Sequence, residues 1–80
     1  MTTLSTEALM VSIRSLFQEQ KRVELQLQNL DPESEEAELL GDDALQLVRI
    51  LGELSDLYEI AVKDEKGYPS YNEIRESILG

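Results

Sequence analysis

The stretch DDALQLVRILGELSDLY, residues 42–58, has the clearest structural pattern in the chain. Either Asp42 or Asp43 can accept hydrogen bonds from the free N–H groups of a helix start. Apolar residues then recur at intervals of three and four, which places them on one helical face. They are Leu47, Ile50, Leu51, Leu54, Leu57 and Tyr58. We therefore predict a core-facing amphipathic helix that begins at Asp42 or Asp43 and ends near Glu59.

Three residues of this predicted helix do not fit the apolar stripe. Leu45 and Val48 are apolar but lie beside the stripe. Two such residues next to an acidic helix start indicate a contact surface, although single exposed apolar residues are common. Gly52 costs about 1 kcal/mol relative to alanine. Close approach of another backbone would explain this glycine, and sequence drift is the alternative.

A first helix is predicted upstream, with Ser5 as its N-cap. Its core-facing stripe comprises Leu9, Ile13, Leu16 and Phe17. Val23, Leu25 and Leu27 then alternate with polar residues, a spacing typical of a strand. Because a single strand would have nothing to pair with, we interpret this segment as the frayed end of the helix. It leads into a long connection that reaches Gly41.

Residues 31–40 leave two structures open. Asp31-Pro32 is either a turn or a helix-start signal, since proline is tolerated at the first helical position. A short acidic helical turn over residues 32–38 is therefore the alternative to an irregular loop. The extent of the first helix is open for the same reason.

The last part of the chain predicts a further helix. Tyr68-Pro69 ends any preceding helix, and Ser70 with Glu73 matches a capping box. The core-facing residues of this helix are Tyr71, Ile74 and Ile78. A short helical or irregular piece lies around residues 64–68. The three tyrosines are predicted to be packing groups with their hydroxyls in water.

These elements predict one all-α domain, residues 1–80. Each helix has one apolar face, so a small bundle is the way to bury all of them. We expect three main helices plus one short helix, with a long loop between helices 1 and 2.

The net charge of −10 comes from 17 acidic and 7 basic residues. No Lys or Arg lies between Arg22 and Arg49. Such a surface repels nucleic acid and anionic membranes and attracts basic proteins. A merely solvated, soluble face is the alternative.

Composition also limits the chemistry. The chain has no cysteine and no histidine, so a thiol nucleophile and the commonest general base are missing. We therefore predict no enzyme, no catalytic residue and no metal site. No apolar run approaches the roughly 20 residues of a membrane span, and residues 1–5 lack the pattern of a signal peptide. A cytoplasmic monomer is expected.

From residue 40 onward the chain resembles the acyl carrier and peptidyl carrier proteins. Their pattern Leu-Gly-x-Asp-Ser-Leu corresponds to Leu40-Gly41-Asp42-Asp43-Ala44-Leu45. Further matching positions are Val48, Leu54, Tyr58, Val62, Asp64 and Ser70. The resemblance implies an acyl-carrier-like bundle with its functional site at the start of the second helix.

In that family the serine takes 4′-phosphopantetheine from coenzyme A, and the arm carries the acyl or peptidyl chain. A helix N-terminus favours the phosphodiester through its dipole and free N–H groups. Ala44 stands at the serine position, so no arm can be attached in this sequence. Either a serine was changed to alanine to fix an apo carrier, which the intact surroundings favour, or a natural carrier-like protein lost its carrier chemistry. The resemblance predicts that Ala44→Ser restores loading.

The resemblance also implies a docking face for a phosphopantetheinyl transferase and for acyltransferase, ligase or synthase enzymes. Its residues are Asp42, Asp43, Leu45, Gln46, Val48, Arg49 and Gly52. Arg49 and the few acids on outward positions favour polyketide or nonribosomal peptide biosynthesis over general fatty acid biosynthesis. The cargo, the pathway and the partner enzyme stay open.

A second function follows from charge alone. The uninterrupted acidic stretch fits a small acidic helical interaction protein, such as an inhibitor, an immunity protein or a nucleic-acid mimic.

Overall fold

The computed structural model describes residues 4–80. Residues 1–3, which belong to the segment considered for a signal peptide, lie outside the described part. Three α-helices and no strand are present between residues 4 and 80: α1 Thr6–Gln28, α2 Glu35–Val62 and α3 Tyr71–Leu79. The predicted all-α class and the three main helices are thus confirmed. The short fourth helix is not formed, because residues 63–70 are turns and extended chain in which Gly67 has a φ of +99°.

α1 begins as predicted and runs further than predicted. The Ser5 hydroxyl accepts a hydrogen bond from the Ala8 N–H at 3.1 Å. The helix continues to Gln28, and Val23 is buried. The prediction of a frayed end of α1 over residues 23–27 is therefore wrong. The apparent strand spacing misled because Leu25 is exposed, whereas Val23 lies seven residues, or two helical turns, beyond Leu16 and continues the same face.

The connection between α1 and α2 is short, spanning residues 29–34, so the predicted long loop is wrong. Ser34 is the N-cap of α2, and its hydroxyl accepts a hydrogen bond from the Ala37 N–H at 3.1 Å. Glu35, Glu36 and Glu38 then occupy the first turn, where carboxylates are favoured by the helix dipole. The predicted helix start at Asp42 or Asp43 is therefore wrong, because both residues lie within α2. Residues 32–34 form a turn, and the acidic residues from 35 onward are already helical.

α1 and α2 form a helical hairpin. One line of α2 residues recurs at intervals of three and four, the heptad spacing of coiled coils. We call this line the inner seam; all its members are buried or half-buried, and they are Ala37, Leu40, Ala44, Leu47, Leu51, Leu54, Tyr58 and Ala61. The main core cluster joins the inner seam to α1 and α3 through Leu9, Ile13, Phe17, Leu51, Tyr58 and Ile74.

Two residues of the predicted core-facing stripe are exposed instead. Ile50 is 45% exposed and Leu57 is 52% exposed. Each lies about 100° around the helix from its buried neighbour, Leu51 or Tyr58. The apolar face of α2 is broader than the contact that α1 offers, so its edge stays in solvent.

The molecule is flat and elongated. The Cα trace measures 47 × 30 × 14 Å, with a radius of gyration of 14.6 Å. A compact chain of this length has a radius of gyration of about 12 Å. The accessible surface is 6045 Å², against about 4900 Å² for a typical monomer of this mass. The hairpin therefore leaves apolar surface open that a thicker bundle would bury.

Candidate functional site

Ala44 does not lie at a helix start. It is nine residues into α2 and belongs to the inner seam, where its side chain is half-buried. Only the N–H groups of the first turn of an α-helix lack a backbone acceptor within the helix. In α2 these belong to residues 35–37, because the Glu38 N–H donates to the Ser34 carbonyl oxygen at 3.2 Å. The dipole and N–H groups that would favour a phosphodiester are therefore absent at Ala44. As folded, Ala44 is a small residue facing α1.

The seven predicted docking residues are all exposed, but they do not form one patch. Their spacing divides them among three sides of α2. Leu45, Val48 and Gly52 lie on the side nearer α3, where Val48 and Gly52 share a groove with Tyr71. Asp43 and Gln46 lie on the opposite side, and Asp42 and Arg49, seven residues apart, point outward between the two groups.

The Leu45 side of α2 is apolar and open. Leu45 is 66% exposed and Val48 is 54% exposed. Among residues 4–80, a Cβ at Gly52 would meet no atom within 4 Å beyond the adjacent turns of α2, so neither α1 nor α3 approaches that glycine closely. Val48 and Gly52 line a groove of about 480 Å³, whose other side is formed by Tyr71 and Arg75 of α3. The structure therefore brings these two predicted docking residues to the edge of α3.

The side of α2 opposite Leu45 is an exposed apolar surface that was not predicted from the sequence. Leu39 is 61% exposed there, and Ile50 and Leu57 join it. Among residues 4–80, six of the nine exposed large apolar side chains lie on α2: Leu39, Leu45, Val48, Ile50, Leu57 and Ile60. The sequence signal that would have revealed this surface is the N-cap at Ser34. A helix that starts there has the heptad register of the inner seam, and Ile50 and Leu57 lie outside that register.

α2 is also strongly acidic, with eight carboxylates and one base, Arg49. On α1, Arg22 pairs with Glu19, and this hydrogen bond holds the pKa of the Glu19 carboxyl below its usual value. Arg22 also donates to Gln26 and senses the charge of Asp43. The α1 base that interacts with Asp43 is thus already paired within α1, and α2 presents apolar side chains among carboxylates.

Within residues 4–80, no group of acidic side chains could hold a metal ion. None of the three helices is both long enough and apolar enough to cross a membrane.

Comparisons with known proteins found no matching family model, no similar curated protein and no similar solved structure. Membership of the carrier family therefore stays a prediction. The fold and the surface define an all-helical acidic protein with an unpartnered helix side.

Proposed function

We propose that this chain is a small acidic helical interaction protein that binds a basic protein partner through the exposed sides of α2. The observation that carries the proposal is the concentration of exposed large apolar residues on this one helix. On two sides of α2 these apolar side chains are rimmed by polar residues, which is the pattern of protein interaction sites.

The sign of the charge selects the partner. Eight carboxylates surround the exposed apolar residues of α2, and Arg49 is its one base. Complementary potentials speed association and exclude partners of like charge. A basic protein surface gains from this field, whereas nucleic acid is repelled by it.

The molecule exposes more surface than an ordinary folded protein of its size. Its accessible surface exceeds that of a typical monomer of this mass by about 1100 Å². A standard interface buries about 800 Å² on each partner. The excess surface of the whole molecule is therefore of the size that one interface covers.

The carrier function implied by the resemblance shares one element with this proposal, the exposed pair Leu45 and Val48 beside carboxylates. It also requires an attachment hydroxyl, which Ala44 does not supply. The interaction proposal needs no such group, and for this reason we prefer it.

The test is affinity capture from cells that produce the protein, followed by 1:1 titration with the purified candidate partner. We expect a basic partner whose affinity falls at least about tenfold between 50 and 200 mM salt, because charge–charge attraction is screened. Asp43→Asn/Glu53→Gln should weaken binding more than the control Asp64→Asn/Glu76→Gln, which removes the same charge away from α2. An acidic partner, or equal losses in the two variants, would contradict the proposal.

A further inference from the structure

A second line of side chains runs along α2 beside the inner seam. Its members recur at intervals of four, three, four, three and four residues, which is again heptad spacing. We call this line the outer seam; all its members are exposed, and they are Leu39, Asp43, Gln46, Ile50, Glu53 and Leu57.

The outer seam lies roughly a third of a turn around α2 from the inner seam. α1 occupies the inner seam, and a second helix can therefore lie along the outer seam without displacing α1. A groove of about 180 Å³ runs between α1 and α2 beside the outer seam. Val23 and Leu47 line it together with Glu19, Asp43 and Ile50. A side chain of a docked helix has apolar surface to contact there and a carboxylate within reach.

The composition of the outer seam specifies its occupant. Leu39, Ile50 and Leu57 supply apolar contacts, whereas Asp43 and Glu53 place carboxylates in the same line. A polar residue at a seam position selects a partner that complements it. We propose that the outer seam binds a basic amphipathic helix of the partner, with Lys or Arg opposite Asp43 and Glu53; this inference rests on the proposed function.

A second copy of the chain fits the outer seam poorly. Pairing two outer seams in parallel would place Asp43 opposite Asp43 and Glu53 opposite Glu53. Each copy also has a net charge of −10. Like charges brought together in an interface are destabilising, so charge complementarity favours a basic helix over self-association.

The probe is a labelled synthetic helix of about three heptads, with Leu at positions a and d and Lys at e and g. A counterpart with Glu in place of each Lys is the charge control. Fluorescence anisotropy at about 50 mM salt, where surface charges are weakly screened, measures the affinity. We expect the Lys peptide to bind the full chain and the Glu peptide to bind at least about tenfold more weakly.

Paired variants locate the binding surface. Ile50→Ser/Leu57→Ser should weaken binding of the Lys peptide by at least about tenfold, because it removes two of the three apolar side chains that the outer seam would bury against the peptide. The matched control is Val11→Ser/Leu25→Ser, which removes two exposed apolar side chains from α1 and should change the affinity less than about twofold.

Leu45→Ser/Val48→Ser tests the other side of α2. Circular dichroism verifies that all three variants are folded. Glu53→Lys should weaken binding of the Lys peptide and strengthen binding of the Glu peptide.

Three outcomes would overturn the inference. If the Leu45→Ser/Val48→Ser variant loses binding and the outer-seam variant keeps it, the partner docks on the other side of α2, and the proposed function stands without the outer seam. If the unaltered chain does not bind the Lys peptide, the outer seam is not a site for a basic helix, whereas the capture experiment still decides the proposed function. If sedimentation shows a dimer that Ile50→Ser/Leu57→Ser dissociates, the occupant is a second copy.

Discussion

The hydroxyl of Tyr58 donates a hydrogen bond to the carbonyl oxygen of Pro69 at 2.6 Å, and the Tyr58 side chain is fully buried. This bond joins α2 to the extended residues before α3. It lies next to Ser70, whose hydroxyl accepts the Glu73 N–H in the capping box of α3. The prediction that Tyr58 is a packing group is correct, but its hydroxyl is not in water.

Removing this hydroxyl should destabilise the fold. We expect Tyr58→Phe to lower the free energy of unfolding by about 1 kcal/mol, because it leaves the Pro69 carbonyl without its intramolecular donor. Urea unfolding followed by circular dichroism measures the loss. Tyr68→Phe is the control, since Tyr68 is partly exposed, and should change stability by less than about 0.5 kcal/mol. Equal losses in the two variants would mean that the Tyr58 bond contributes nothing specific.

The same residue should make stability sensitive to alkaline pH. Burial raises the pKa of the Tyr58 hydroxyl above its ordinary value of about 10. A folded-state pKa above the unfolded one means that the folded state retains the proton longer. The stabilisation is therefore complete below about pH 10 and is lost as the pH rises through the folded-state value.

Comparing urea unfolding of the wild type and Tyr58→Phe from pH 8 to pH 11 isolates this effect, because the titration of other groups is common to both. Burial also raises the pKa of Tyr71, so Tyr58→Phe should still lose some stability at alkaline pH. The difference in stability between the two proteins should shrink above about pH 10. A difference that is constant or grows with pH would contradict the assignment.

The sequence predicted those features that depend on near neighbours. The Ser5 cap, the α1 stripe of Leu9, Ile13 and Phe17, and the capping box at Ser70 each involve residues within a few positions of one another. The helix class followed from the same local periodicity. The start of α2 was predicted at the wrong residue because competing local signals are present. Ser34, Asp42 and Asp43 are all good N-caps.

Burial was harder to predict because it depends on tertiary contacts. Ile50 and Leu51 are neighbours in one broad apolar face, and a helical projection does not say which of them α1 covers. The candidate site shows the same limit. Leu45 and Val48 were correctly expected to be off the buried stripe, whereas Leu39 and Leu57 on the other side were missed.

The position of the α2 start can be tested directly. We expect Ser34→Ala to lower the free energy of unfolding by about 1 kcal/mol, because the Ala37 N–H loses its acceptor. Asp42→Ala, in the interior of the helix, should leave stability unchanged or raise it by up to about 0.5 kcal/mol, because alanine is the better helix former. Chemical denaturation compares the two variants. A larger loss of stability in Asp42→Ala than in Ser34→Ala would support the helix start that the sequence alone predicted.

The exposed glycine of α2 offers a stabilising change. Gly52 lies in the helix interior, and a Cβ there would meet no atom within 4 Å. Gly52→Ala should therefore raise stability by about 0.5–1 kcal/mol. The matched control is Gly67→Ala, which should lower stability because Gly67 has a φ of +99° in equally open space. Thermal melts of both variants give the sign, and a loss of stability in Gly52→Ala would contradict the exposed helical environment.

The carrier resemblance and the fold make opposite predictions for Ala44→Ser. A broad-specificity phosphopantetheinyl transferase with coenzyme A should load the new serine if residues 41–45 form a helix start. We expect no loading, because residue 44 is half-buried in the inner seam and the N–H groups of α2 without a backbone acceptor in the helix belong to residues 35–37. Intact-mass spectrometry of the folded variant measures the result, with unaltered chain as the negative control and an independent carrier protein as the positive control. A gain of phosphopantetheine mapped to residue 44 would show that this part of α2 opens for a partner enzyme, and it would favour the carrier function over the interaction protein proposed above.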